Sequence, residues 1–197
     1  MQIVLFGGSF NPPHLGHLLV IEQAFELIGK IDELWLLPAF KHTFQKELAP
    51  ASDRLAMAEL LIAELADGVK KRTRLETIEC DKRLSGETLE TVNILYKMYP
   101  GKTFSFLMGS DQLPTFTKWG HYQELLKLLP FYVYPRSGSH NSITYPNMTL
   151  LQSPTQVVTN LSSTIIRERL QQHLSIAKLV PKAVANYINS IQLYDNS

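Results

Sequence analysis

Gly7-Gly8-Ser9-Phe10-Asn11-Pro12-Pro13-His14-Leu15-Gly16-His17 decides the fold of this chain through what flanks it. Ahead of it, Ile3-Val4-Leu5-Phe6 is a short apolar run that reads as a buried strand. Behind it, the stretch from Leu18 to Ile28 reads as a helix. A strand, a glycine turn and a helix start together aim free backbone N–H groups at an anion. His14 and His17 stand at that helix start, three residues apart and so on one face. No Lys-Ser/Thr pair follows the glycines, which argues against a Walker-type phosphate loop. A third glycine at the dinucleotide-fingerprint spacing is also missing, which argues against a nicotinamide-dependent dehydrogenase. What remains is a phosphate site made of backbone amides and two imidazoles.

Outward from this stretch the chain alternates strands and helices. Strands are expected at 2–6, 33–37, 73–80, 103–108, 130–134 and 155–158, and helices at 15–28, 52–66, 87–98, 121–128, 163–171 and 181–191. Ser52 and Asp53 are expected to cap the second helix. Pro100-Gly101 ends the third. Such alternation implies an α/β fold, a parallel sheet with helices on both faces. Ligands of these sheets gather beyond the C-terminal strand ends. The segments Gly7–His17, Gly109–Asp111 and Ser162–Arg167 each follow an expected strand and so should converge on one crevice. A chain of 197 residues suits one domain, here 1–191, followed by a polar tail at 192–197. Residues 136–149, rich in Ser, Asn and Pro, read as a mobile loop.

Nineteen Lys and Arg against eighteen Asp and Glu leave no basic surplus for non-specific nucleic-acid binding. Any phosphate must be held by local groups. The single cysteine, Cys80, allows no internal disulfide and no cysteine-rich zinc site, and reads as a small apolar residue on a strand. A core strand beginning at residue two suggests that no signal peptide precedes the fold, and no apolar run approaches a membrane span. The expected location is the cytoplasm.

The His14-Leu15-Gly16-His17 segment resembles the HxGH signature of the nucleotidylyltransferase superfamily. Asn160-Leu161-Ser162-Ser163-Thr164-Ile165-Ile166-Arg167 is similar to that superfamily's second signature, ISSTxIR, in its adenylyl-transferring form. Met108-Gly109-Ser110-Asp111 with Phe116-Thr117-Lys118-Trp119 resembles the GxD and FxxW segment of bacterial nicotinate-mononucleotide adenylyltransferases. Val133-Tyr134-Pro135-Arg136-Ser137-Gly138 and the stretch from Leu179 to Ile188 extend the likeness to the C-terminus. The resemblance implies a Rossmann-like, doubly wound parallel sheet with a helical C-terminal segment. It further implies transfer of the adenylyl group of ATP to a pyridine mononucleotide, with Mg²⁺ carried in by ATP and no protein metal ligand.

Adenylyl transfer needs an anionic acceptor phosphate to attack the α-phosphorus in line, so positioning and electrostatics dominate and no general base is needed. Imidazolium groups at His14 and His17 would donate to phosphate and titrate near neutrality, with phosphates favouring the charged form. The resemblance assigns His17 to the transition-state oxygens and His14 to the α- and β-phosphate region. Gly7, Gly8 and Gly16 allow close approach, leaving the amides near Ser9 and Phe10 to face phosphate. Ser162, Ser163 and Thr164 can cap their helix while its N-terminus receives the β- and γ-phosphates, and Arg167 can grip the leaving pyrophosphate. Gly109 and Asp111 are expected beside the adenosine, Asp111 accepting from ribose hydroxyls.

For the acceptor, Trp119 offers an indole face to a pyridine ring. The resemblance implies that backbone amides around Trp119 and Thr88 hold the nicotinate carboxylate, and it extends the acceptor set to Arg136. Two departures stand out. The family usually shows Pro-Pro-His-Lys after its second strand, where this chain has Pro38-Ala39-Phe40-Lys41 and, further on, Lys46. Lys46, placed in the acceptor-binding set, or Lys41 would replace that contact, and the spacing does not decide between them. Where the family commonly has Ser-Tyr-Thr, this chain has Ser85-Gly86-Glu87-Thr88. A Glu87 facing the pocket would repel nicotinate and accept from a nicotinamide NH₂. Nicotinate mononucleotide is the first expectation and nicotinamide mononucleotide its competitor. A non-catalytic adenine-nucleotide sensor is the alternative of a different class. The partner expectation is ATP and a pyridine mononucleotide, with no nucleic acid or membrane and with room for an oligomer.

Overall fold

The computed structural model describes residues 1–41, 48–139, 142–143 and 145–194. In chain order the elements are β1 (Gln2–Gly8), α1 (Leu15–Leu27), β2 (Glu33–Pro38), α2 (Ala51–Ala63), α3 (Asp67–Lys70), β3 (Thr73–Leu75), α4 (Ile78–Asp81), α5 (Thr88–Met98) and β4 (Thr103–Gly109). A 3₁₀ segment, Ser110–Lys118, leads on to α6 (Tyr122–Leu128), β5 (Phe131–Tyr134), β6 (Met148–Leu150), α7 (Ser163–Gln171) and α8 (Lys182–Ser190). The described strands form one six-stranded sheet in the order β3-β2-β1-β4-β5-β6, with every pairing parallel. The chain winds outward from β1 to β3, returns, and winds outward again from β4 to β6. The reversal lies between β1 and β4, the switch point at which such sheets bind ligands.

β1 is central and covered on both faces, which is why it reads as a continuous apolar run. One face packs Val4, Leu34 and Leu36 against Val20, Ile21 and Ala24 of α1 and Ala58 and Leu61 of α2. The other packs Ile3, Leu5, Phe106 and Phe131 against Val92 and Leu95 of α5 and Leu125 of α6. A third cluster lies outside α2, where Met57 meets Ile166, Val184, Ile188 and Tyr194. This cluster fastens the C-terminal helices to the sheet layer. No helix among the described residues is long and apolar enough to cross a membrane.

Several sequence expectations are corrected. The strand expected at 73–80 ends at Leu75, and 78–81 is the short helix α4. Glu76 Oε1 accepts from the Ile78 amide and Thr77 Oγ1 bonds Asp81, so local polar bonds turn the chain out of the sheet. Cys80 therefore sits on a helix, where Sγ contacts the Pro38 carbonyl at 3.6 Å. The strand expected at 155–158 is absent, and the edge strand is β6, inside and just past the expected loop. Val157 uses its amide on Gln23 Oε1 and its carbonyl on Tyr134 Oη, so side chains replace a ladder there. Helix α2 starts at Ala51 behind Pro50 with no side-chain cap, and Asp53 instead accepts from Tyr187 Oη. The tail is not wholly polar, since Tyr194 is buried and its hydroxyl donates to Asn11 Oδ1 at 2.7 Å.

Candidate active site

The carboxyl ends of β1 and β4 open into a cleft of ≈ 270 Å³. Gly7 and Gly8 line it from the end of β1, Ser9, Phe10 and His14 from the β1–α1 loop, and His17 from the first turn of α1, with Gly109 and Asp111 at the end of β4 and Arg136 beyond the end of β5. Ser162 and Ser163 enter from α7, and Thr88 and Trp119 from the other face of the sheet. Sequence segments more than 150 residues apart thus meet, as Ser163 Oγ donates to the Pro12 carbonyl at 2.8 Å. Lys46 lies outside the described residues.

His14 is the N-cap of α1, and its backbone N–H donates to His17 Nδ1 at 3.0 Å. An accepting Nδ1 places the His17 proton on Nε2, where it can donate to a ligand. The two rings stack with centroids 3.7 Å apart, and Phe10 lies 4.9 Å from His17. Phe10 holds a left-handed backbone (φ 47°), kept there by burial against Phe6. Gly16 is required by closeness, because a Cβ there would stand 2.9 Å from His14 Nδ1. That Nδ1 is buried and has no hydrogen-bond partner among the described residues.

Burial, then the charge of Arg136, lowers the His14 pKa to about 3. Burial, then His14, then Arg136 hold His17 well below its usual value. The expected imidazolium pair is therefore a pair of neutral imidazoles in the free protein. The low-dielectric wall of Phe10 and the neighbouring guanidinium oppose a second and third positive charge.

Ser162 caps α7, its Oγ accepting from the Ile165 amide at 3.2 Å. Arg167 does not line the cleft; its Nη1 donates to the Asn11 carbonyl at 2.7 Å, behind the β1–α1 loop. Thr164 is exposed beside it, with Oγ1 3.5 Å from Arg167 Nη2. Arg136 donates from Nη2 to the Leu161 carbonyl at 2.7 Å and places Nε 3.8 Å from Asp111 Oδ1. Its neighbours are thus the β4 end and the approach to α7. Trp119 is half-buried, packed at 5.3 Å on Phe116 and edge-on to Phe106, while Trp35 is the fully buried indole.

Sequence reasoning missed Arg54. It is 1% exposed and donates from Nε to the Ala49 carbonyl, and from Nη1 to the carbonyls of Ser9 and Ala39, all at 2.7–2.9 Å. It ties the glycine loop to the chain leaving β2. The signal was available, since Arg54, Met57, Ala58 and Leu61 share one helical stripe whose other members are apolar. Glu79 was missed too. It accepts from Thr91 Oγ1 and the Phe40 amide, and burial pushes its pKa up to about 7. Among the described residues no group of three or more His, Cys, Asp and Glu could hold a metal ion.

The family model described as cytidylyltransferase-like matches residues 5–169. The chain is 34% identical over 197 residues to "Probable nicotinate-nucleotide adenylyltransferase" of Bacillus pumilus, covering 99% of each chain. It is 35% identical to the protein of that name from Salinibacter ruber, covering 98% of each. Its fold is similar to that of Plasmodium falciparum nicotinic acid mononucleotide adenylyltransferase complexed with NaAD, at a TM-score of 0.85 and 23% identity, over 100% of this chain and 98% of that one. Motif order, cleft and full-length similarity agree, and the chain belongs to the cytidylyltransferase-like family, among its nicotinate-nucleotide adenylyltransferases.

Proposed function

We propose that this protein transfers the adenylyl group of Mg-ATP to nicotinate mononucleotide, giving nicotinate adenine dinucleotide and pyrophosphate. One observation carries the reading: the stacked His14–His17 pair lines the same cleft as the N-terminus of α7, with Trp119 entering from the sheet's other face. An acceptor phosphate oxygen attacks the α-phosphorus, the bond to the β-phosphate oxygen breaks, and pyrophosphate leaves with that electron pair. His17 donates through Nε2–H to the oxygens of the transition state and His14 binds the α- and β-phosphates. A bound polyanion raises both pKa values, so charge develops on the imidazoles when phosphate arrives. Ser162, Ser163, Thr164 and the helix end receive the β- and γ-phosphates. Arg167 holds the loop from behind through the Asn11 carbonyl, and from there its charge favours the leaving pyrophosphate.

Gly7, Gly8, Ser9 and Phe10 present the phosphate loop, Gly16 of α1 leaves room for the His14 ring, and Gly109 with Asp111 meets the ribose. The closeness of Arg136 to Asp111 favours the ATP side for this residue over the acceptor side. Thr88 and Trp119 take the pyridine. Mg²⁺ arrives with ATP, held by phosphates and water. The partners are these nucleotides, with no nucleic acid or membrane, in the cytoplasm. Pyrophosphate release and dinucleotide formation from Mg-ATP, with nicotinate and nicotinamide mononucleotides in parallel, test the reading. Product from nicotinate mononucleotide is expected, and no product from either rejects it.

A further inference from the structure

We infer that Glu87 sets the choice of pyridine, admitting a carboxamide-bearing mononucleotide beside the carboxylate-bearing one. The inference rests on the adenylyl-transfer reading and concerns the acceptor end of the same cleft.

Glu87 is the N-cap of α5, with extended backbone dihedrals. Its amide donates to Ser85 Oγ, and Ser85 is in turn fastened by hydroxyl and amide to Glu90 Oε2, at 2.5 and 3.0 Å. Glu90 is thus spent on the turn, and the turn directs Glu87 into the cleft. There it lies with Thr88, Trp119 and Gly120. A Cβ on Gly120 would stand 2.8 Å from Glu87 Oε1 and 3.3 Å from Oε2, so the carboxylate rests on the backbone that follows the indole. Neither oxygen has a hydrogen bond or ion pair among the described residues. Arg54, the buried cation whose charge acts on Glu79, donates to the carbonyls of Ala49, Ser9 and Ala39.

An acceptor-only group of this kind discriminates between two ring substituents. Beside a pyridine stacked on Trp119, a carboxylate substituent would meet like charge, whereas a carboxamide NH₂ would donate to Oε1 or Oε2. Glu79, the other carboxyl on this wall, is already taken by Thr91 and Phe40, which leaves Glu87 as the available acceptor. Lys41 also lines this end and attracts the mononucleotide phosphate whichever ring is present, so it does not cancel the discrimination.

The test is kcat/KM for nicotinamide and nicotinate mononucleotides with Mg-ATP, in the wild type and in Glu87→Gln and Glu87→Tyr. Glutamine keeps the fit at Gly120 and removes the charge; tyrosine removes the carboxylate altogether. The amide-to-acid ratio is expected to fall about tenfold or more in both variants, through the acceptor KM. An unchanged KM for ATP reports a folded site. A ratio within twofold of wild type in both variants overturns the role of Glu87, while product from nicotinate mononucleotide leaves adenylyl transfer standing. Failure of the wild type with both acceptors overturns the two together.

Discussion

Replacing Arg54 by methionine keeps much of the side-chain volume and removes the guanidinium that Ser9, Ala39 and Ala49 share. Three carbonyls lose donors at 2.7–2.9 Å, and each bond from a charged donor is worth about 1.5–3 kcal/mol. Against that loss stands relief of the burial cost of the charge, which in this protein already lowers the Arg54 pKa. The balance is a destabilisation of about 3 kcal/mol, which a domain with about 5–15 kcal/mol to lose survives folded. Urea unfolding at neutral pH should show a lower midpoint at constant slope. Steady-state kinetics should show kcat/KM reduced about 10²-fold for both substrates, because the glycine loop and the chain leaving β2 lose their common anchor. Arg54→Lys, one point donor in place of a fork, should recover only part of either loss. A stability change below about 1 kcal/mol together with unaltered kinetics would refute the role given to this guanidinium.

The remaining predictions concern the histidines and Glu79. His17→Ala should lower kcat about 10²-fold or more with little change in ATP affinity by calorimetry; loss of affinity alone would make His17 a ground-state ligand. The His14 pKa is lowered on folding, so its contribution is present above about pH 6.5 and is lost as the pH falls toward about 3. His14→Gln should flatten that acid limb of Tm against pH, and an unaltered limb contradicts the buried neutral imidazole. Glu79 has the opposite sign. Its pKa is raised, so its contribution is present below about pH 4.5 and is lost as the pH rises through about 7. Glu79→Gln should therefore gain on the wild type between pH 6 and 8, and a constant gap in Tm would exclude this titration.

The sequence made the strand-end placement of the three motifs legible because parallel winding carries its own periodicity, and the glycine, histidine and serine groupings occur where that winding puts ligands. Position 155–158 misled for a physical reason. Val157 and Val158 have strand-forming side chains, yet they are 55% and 42% exposed, and their segment is fixed by Gln23 and Tyr134 from outside it. At 73–80 buried carboxyls were invisible to an apolar pattern, since Glu76 and Glu79 are each 4% exposed. The charge of Arg54 by itself points to solvent, and only its helical phase, shared with Met57, Ala58 and Leu61, sets it inside. Nothing in the composition of 192–194 announces that Tyr194 reaches the β1–α1 loop.

That last contact bears on the order in which the molecule assembles. Asn11 is held by Tyr194 and Arg167, and its neighbour Pro12 by Ser163, across sequence separations of 183, 156 and 151 residues. Contacts so remote gain nothing until the intervening sheet and helices have brought the ends together. The β1 strand and its pairing can exist earlier, but the loop that follows it acquires its shape late. In the reverse direction, lifting α7 and the residues after α8 would release the same loop without breaking any strand pairing in the sheet. Catalytic competence is therefore a late and separable stage of this fold, which a nucleotide-loaded site would hold shut.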